Sequence, residues 1–171
     1  FIGGGTMAEA MIRGILSRSV ASAHEVSVGE AIEERCIVLK ERHGISTTTN
    51  NVQAAEAGDL VVLSVKPQNL SEVLPQLKGR LRAGQVAISV VAGASLSSIM
   101  EGLNHQTVVR IMPNTLAQIG EGISLWTASP QVNTSQREAV EVVLETIGVH
   151  VYVANEKYID MATALSASGP A

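Results

Sequence analysis

A glycine-rich turn stands at the start of the chain, where Gly3-Gly4-Gly5-Thr6-Met7-Ala8 fits the spacing G-x-G-x-x-A. In that pattern Gly3 permits a tight turn, Gly5 removes the side chain that would block a pyrophosphate, and Ala8 lets a helix pack close to a sheet. Free N–H groups at the start of the helix would face the anion. Between a strand and a helix the motif predicts dinucleotide binding, and elsewhere it would be only a turn.

An acidic residue follows this turn at the distance expected for a ribose ligand. Such a residue lies about 20 positions or slightly more after the glycines, and Glu30 follows the short run Val26-Ser27-Val28-Gly29. A carboxylate there repels a 2′-phosphate, which favours NADH over NADPH. Two alternatives stay open: Glu30 could belong to the first turn of the next helix, where negative charge is favourable, and Arg35 could still reach a phosphate.

Further candidate ligand contacts follow two later apolar runs, at Ser64-Val65-Lys66-Pro67 and at Val90-Val91-Ala92-Gly93. An open α/β sheet binds its ligand beyond the carboxyl ends of its strands, so both stretches should line one crevice, together with the loop at Asn50-Asn51. Lys66 would then face the cofactor or the substrate, although it could equally be a solvated loop lysine.

A third apolar run ends in Arg110-Ile111-Met112-Pro113-Asn114-Thr115. Asn114 and Thr115 are candidates to orient a carboxamide or an imine at the same edge of the sheet. Pro113-Asn114 could instead serve only to form a turn.

The elements that must position these residues alternate between short β-branched runs and amphipathic stretches, which predicts a parallel sheet with crossover helices. We expect strands near 25–29, 45, 60–65, 86–90, 108–112, 123–126 and 149–153, and helices near 6–19, 32–43, from 95 onward and near 135–146. The run 60–65 does not alternate, which is typical of a strand buried on both faces. The predicted fold class is α/β with a doubly wound, mostly parallel sheet.

Composition narrows the possible functions. The 171 residues are 46% hydrophobic with a formal net charge of -4, and they contain a single cysteine, Cys36. We therefore expect no nucleic-acid partner, no disulfide and, because apolar runs are short, no membrane partner. The four histidines show no ligand-like spacing, so we also expect no metal site. A cytoplasmic protein fits these expectations.

Both ends of the sequence suggest a longer protein. Phe1 and Ile2 resemble the last residues of a strand, and a helical periodicity runs from Tyr158 to Leu165. We expect a dinucleotide-binding domain over residues 1–154 and, over residues 155–171, the first helix and loop of a largely absent α-helical domain.

Four blocks of the sequence, taken together, resemble the amino-terminal domain of the pyrroline-5-carboxylate reductase family. In chain order they are Phe1-Ile2-Gly3-Gly4-Gly5-x-Met7-Ala8, Val65-Lys66-Pro67, Met112-Pro113-Asn114-Thr115 and Ala162-x-x-Leu165-Ser166-x-Ser168-Gly169-Pro170-Ala171. The resemblance implies a Rossmann-like fold and reduction of 1-pyrroline-5-carboxylate to L-proline, with hydride from NADPH or NADH.

The resemblance also implies which residues form the site. The residues expected to bind the cofactor, with Ala8 and Glu30 added from the glycine motif, are Ile2, Gly3, Gly4, Gly5, Thr6, Met7, Ala8, Glu30, Asn51, Ser64, Val65, Lys66, Pro67, Val90, Val91 and Ala92. Glu156 would lie near the substrate pocket, and we group it with Asn114 and Thr115 as candidate catalytic residues. The intact protein would bind a small cyclic imine and form a homo-oligomer, whereas residues 1–171 alone would bind cofactor without turnover.

Two positions depart from the family's pattern: Leu116 stands where a second proline usually follows, and Ala167 replaces a glycine. Fold alone does not decide function. The alternatives are another NAD(P)-dependent dehydrogenase, of hydroxyacid or prephenate type, and a non-enzymatic sensor that binds a dinucleotide.

Overall fold

The computed structural model describes residues 1–163, whose centre is a twisted sheet with helices on both faces. The strands are Ser27–Gly29 (β1), Ser46–Thr48 (β2), Leu60–Leu63 (β3), Val86–Ser89 (β4), Val108–Pro113 (β5), Gly122–Ala128 (β6) and Gly148–Tyr152 (β7). The α-helices are Thr6–Ser17 (α1), Glu33–His43 (α2), Asn51–Glu56 (α3), Leu70–Leu77 (α4), Leu96–Leu103 (α5), Thr134–Glu145 (α6) and Lys157–Ala162 (α7). Short 3-10 helices cover Ala23–Glu25, Pro67–Asn69 and Thr115–Ile119.

The order of the strands confirms the predicted fold class. β1 pairs with β2 in parallel, and β4 pairs in parallel with β3 on one side and with β5 on the other. Ile2 bridges Gly29 of β1 on one side and Leu63 of β3 on the other, so the sheet runs β2-β1-Ile2-β3-β4-β5-β6-β7. This is the order of a doubly wound dinucleotide-binding sheet. Within residues 1–163 the antiparallel pairing is between β5 and β6.

The core consists of two apolar clusters, one on each face of the sheet. Met11 and Trp126 belong to the first, and Leu77 and Leu103 belong to the second. In β3, Val62 packs into the first cluster while Val61 and Leu63 pack into the second. Burial on both faces explains why this strand shows no alternation of polar and apolar residues.

The last described helix, α7, lies in the segment 155–171, which was expected to begin a second domain. Residues 164–171 of that segment lie outside the described residues. Each helix of the described chain is too short or too polar to cross a membrane.

Candidate functional site

Gly3 makes the turn between the first strand segment and α1. Its φ angle is +93°, and a Cβ added there would lie 2.7 Å from the carbonyl oxygen of Ser64. The Gly3 amide donates a hydrogen bond to the Gly29 carbonyl at 2.7 Å. Only glycine fits both the positive φ and the close approach to β3, so the turn is held against the ends of two neighbouring strands.

Gly5 is the residue that caps α1, and the space in front of it is open. Its backbone is extended, with a φ of -70°, and a Cβ added there would meet no atom of residues 1–163 within 4 Å. As a glycine, it has no side chain that could accept a hydrogen bond from the first amides of the helix. An open approach and uncapped amides at a helix start are what a pyrophosphate requires, so these residues fit a dinucleotide.

Glu30 is fixed beside the glycine turn through both of its carboxylate oxygens. Oε2 accepts a hydrogen bond from the Gly4 amide at 2.8 Å, and Oε1 accepts one from the Ile32 amide at 3.0 Å. Glu30 follows β1 directly and lies outside α2, which begins at Glu33. The carboxylate therefore stands at the end of the strand, where a ribose ligand is expected.

Arg35, in the first turn of α2, is engaged by two groups at the turn. Its Nε donates to the Gly4 carbonyl at 2.7 Å, and its Nη2 donates to Glu9 at 2.6 Å. Glu9 also accepts from Arg42 at 2.6 Å and pairs with His43 at 3.0 Å. Partial burial raises the pKa of Glu9, but the hydrogen bonds from Arg35, His43 and Arg42 outweigh burial and lower it from 4.5 to about 2.

The other residues expected to bind the cofactor meet at the same edge of the sheet. Ser64 donates its amide to Ile2, and Val90 donates its amide to Leu63, so the ends of β3 and β4 adjoin the turn. Asn51 Oδ1 lies 2.7 Å from the point where a Gly29 Cβ would stand. The side chain of Lys66 is exposed.

Asn114 closes the connection from β5 to β6. Its Oδ1 accepts from the Ile123 amide at 3.1 Å, and its own amide donates to the Ile123 carbonyl at 3.3 Å. Thr115 begins the following 3-10 helix and is exposed. Asn114 therefore has the turn-forming role that the sequence left open, and a catalytic role for either residue stays a prediction.

Glu156 is anchored by two hydrogen bonds to Oε1, from the Leu96 amide at the start of α5 and from Arg110 Nη1, each at 2.8 Å. Arg110 also donates to Asp160 at 2.7 Å. The Arg110 side chain is 2% exposed, and among residues 1–163 its Nε has no hydrogen-bond partner. This cluster was not predicted from the sequence, although an arginine inside the apolar run Val108–Pro113 indicates a side chain that needs buried partners.

A cavity of 330 Å³ lies at the opposite edge of the sheet, beside the amino ends of β1 and β3. Its lining is mostly apolar and includes Val26, Leu60 and Val142. Ligands of doubly wound sheets bind at the carboxyl ends, so we do not place the candidate site there. Among residues 1–163, no cluster of three or more His, Cys, Asp or Glu side chains could hold a metal ion.

Known proteins with a similar sequence or fold are oxidoreductases. A family model described as "NADP oxidoreductase coenzyme F420-dependent" matches residues 1–93. A pyrroline-5-carboxylate reductase of Corynebacterium melassecola is 38% identical to this chain over 174 aligned residues, which cover 99% of the chain.

Two solved structures are similar along nearly the whole chain. A pyrroline-5-carboxylate reductase from Coxiella burnetii is 31% identical, with a TM-score of 0.93 over 99% of this chain and 63% of its own. A pyrroline carboxylate reductase of Plasmodium falciparum, solved with NADP bound, is 26% identical, with a TM-score of 0.86 over 99% of this chain and 62% of its own. The Corynebacterium relative is covered over 64% of its length, so this chain spans less than two thirds of the proteins it matches.

Proposed function

The chain belongs to the family described as NADP oxidoreductase, coenzyme F420-dependent, and on that premise we propose that it forms the dinucleotide-binding part of an NAD(P)H-dependent pyrroline-5-carboxylate reductase, an oxidoreductase of proline biosynthesis. In the proposed reaction a hydride adds to the imine carbon of 1-pyrroline-5-carboxylate and a proton adds to the ring nitrogen, which gives L-proline. The similarity to pyrroline-5-carboxylate reductases over 99% of this chain carries the proposal.

In this proposal the glycine turn and α1 bind the pyrophosphate. Gly5 leaves the approach open, and the uncapped amides at the start of α1 stabilise the negative charge. The segments Ser64–Pro67 and Val90–Ala92, at the carboxyl ends of β3 and β4, orient the other half of the cofactor. When bound, the reduced nicotinamide supplies the hydride, and the contribution of the protein is position and electrostatics.

We further propose that the cofactor is NADH rather than NADPH. The Glu30 carboxylate lies at the end of β1, where we propose that the ribose binds, and Glu33 and Glu34 follow it in the first turn of α2. A 2′-phosphate would add negative charge beside these carboxylates, whereas two ribose hydroxyls could donate to Glu30. The Arg35 guanidinium, which could have offset that charge, is already bound to Gly4 and Glu9.

The roles of the three candidate catalytic residues are also proposals. The contacts of Glu156 with Arg110 and Leu96 favour a positioning role for its carboxylate over direct contact with substrate. Asn114 and Thr115 remain candidates to orient the imine. Residues 155–171 would begin a helical domain that completes the substrate site and the homo-oligomer in the intact protein.

Two measurements test the proposed function. Titration of residues 1–171 with NADH and with NADPH, followed by nicotinamide fluorescence, should give saturable binding that is tighter for NADH. The full-length protein should convert 1-pyrroline-5-carboxylate to proline with the same cofactor. Binding without imine reduction by the full-length protein would favour a dinucleotide sensor or another dehydrogenase. Absence of binding by both dinucleotides would reject the proposal.

A further inference from the structure

The contacts around the glycine turn point to a second residue that determines the choice of cofactor. We propose that Glu9 disfavours NADPH by holding the Arg35 guanidinium on the glycine turn, where it is unavailable to a 2′-phosphate. This inference rests on the proposed dinucleotide site and names a residue of α1 that acts through Arg35.

Arg35 has the position and the chemistry to bind a phosphate beside Glu30. It is the first cationic residue after Glu30 in the sequence, and its Nε already reaches the carbonyl of Gly4, whose amide is bound to Glu30. Its side chain is 26% exposed, so a group in the crevice could reach it. An arginine at such a place is the usual partner of the 2′-phosphate in NADP-dependent relatives of this fold.

The Glu9 carboxylate holds Arg35 strongly because it is well shielded and ionised. Its side chain is only 14% exposed, and it contacts Arg35 Nη2 at 2.6 Å. Hydrogen bonds between ions of opposite charge are stronger than those between neutral groups. Nε and Nη2 of Arg35 are occupied by Gly4 and Glu9. A phosphate bound by two nitrogens of Arg35, one of them Nη2, would displace Glu9 from Nη2, so the free energy of that contact is subtracted from the affinity for NADPH.

Four proteins test the proposal: the full-length wild type and its variants Glu9→Gln, Arg42→Gln and Glu9→Gln/Arg35→Gln. Dissociation constants for NADH and for NADPH are measured for each by nicotinamide fluorescence. Glu9→Gln should lower the dissociation constant for NADPH about tenfold, a change of about 1.4 kcal/mol, and change that for NADH less than about threefold. The double variant should lose the gain, because the gain requires the arginine.

Arg42→Gln is the matched control. Arg42 contacts the same Glu9 carboxylate at 2.6 Å, but it lies at the far end of α2 from the glycine turn. Its loss removes one partner of Glu9 and leaves Arg35 paired, so the ratio of the two dissociation constants should stay at the wild-type value.

The possible results separate the role proposed for Glu9 from the proposed function of the chain. A gain for NADPH that persists without Arg35 would show that loss of one negative charge suffices, and would overturn the proposal. No gain in Glu9→Gln, with NADH still bound, would also overturn it while leaving the proposed function intact. Failure of the wild type to bind NADH would instead refute the proposed function. Should circular dichroism show Glu9→Gln unfolded, Glu9→Asp, whose shorter carboxylate draws away from Arg35, must raise NADPH affinity in the same direction.

Discussion

Gly3 and Gly5 lie two positions apart, but substitution by alanine should lower the stability of the protein at Gly3 and weaken cofactor binding at Gly5. Gly3→Ala places a methyl group at a φ of +93° and 2.7 Å from the Ser64 carbonyl oxygen. The unfavourable φ costs about 1–2 kcal/mol, and displacement of the packed backbone costs about 1–2 kcal/mol more. The free energy of unfolding should therefore fall by about 2–4 kcal/mol, which lowers Tm by about 6–12 °C in a chain of this size.

Gly5→Ala should leave stability nearly unchanged and damage cofactor binding. The φ of -70° suits any residue, and the added Cβ meets no atom of the described part of the chain within 4 Å. Alanine is a poorer cap than glycine by about 0.5–1 kcal/mol, which the reduced entropy of the unfolded chain offsets by a similar amount, about 0.4–1 kcal/mol. The methyl group would occupy the approach of the pyrophosphate, so the dissociation constant for NADH should rise at least about tenfold.

Thermal unfolding and NADH titration of the two variants separate the effects, with Gly5→Val as a larger probe of the same space. We expect a low Tm for Gly3→Ala, and a near wild-type Tm with weak or absent NADH binding for both Gly5 variants. Wild-type affinity in Gly5→Val would refute the placement of the pyrophosphate at Gly5. An unchanged Tm in Gly3→Ala would refute the strain argued for the turn.

Three further predictions follow from buried and charged groups. Glu156→Gln should lower the free energy of unfolding in urea by about 2 kcal/mol, because it removes the negative charge that compensates a buried arginine. Arg110→Met should cost less than about 1 kcal/mol, because it removes the buried positive charge itself. The reverse order would contradict this account. The pKa of Glu9 is about 2 in the folded protein and 4.5 in the unfolded one, so its contribution is present above pH 4.5 and lost as the pH falls toward 2. The wild type should lose more stability than Glu9→Gln across that window, and parallel pH profiles would count against the pairing of Glu9. Burial and the nearby charge of Glu30 raise the pKa of the Cys36 thiol. Iodoacetamide should therefore alkylate the thiol slowly at pH 8 in the native protein and quickly in urea. Equal rates would show that the thiol is accessible in the native protein.

The periodicity of apolar residues predicted the long elements of this fold well, because each element keeps the same pattern of burial along its length. The helix expected at 6–19 is α1, and the helix expected at 135–146 is α6, within a residue or two at each end. The two-faced burial of β3 was visible in its unbroken apolar run. The short helix α3 was missed, since six residues with Ala54 and Ala55 as their buried members make no periodic pattern. Its start could have been recognised from Asn50, whose side chain accepts hydrogen bonds from the Val52 and Gln53 amides.

Some residues of the candidate site could be predicted from the sequence, and others could not. The glycine motif and Glu30 could be placed from sequence because backbone geometry and spacing determine their positions. The pairing of Arg35 with Glu9 could not, because it joins side chains of two different helices that are 26 residues apart along the chain. The two hydrogen bonds to Oε1 of Glu156 could not be predicted either, because their donors, Leu96 and Arg110, are 60 and 46 residues away along the chain.

The cluster around Arg110 serves orientation more than net stability. Helix α7 has a single buried residue, Ile159, so apolar packing alone leaves the direction of the helix weakly determined. Arg110 ties α7 to β5, and Glu156 ties α7 to the start of α5, shortly after the candidate cofactor-binding segment Val90–Ala92. A buried ion pair often contributes little free energy compared with an apolar substitute, but it accepts only a narrow range of geometries. Charged contacts therefore fix α7 relative to the edge of the sheet where the cofactor is proposed to bind, and substitution of Arg110 should change that orientation more than it changes the free energy of unfolding.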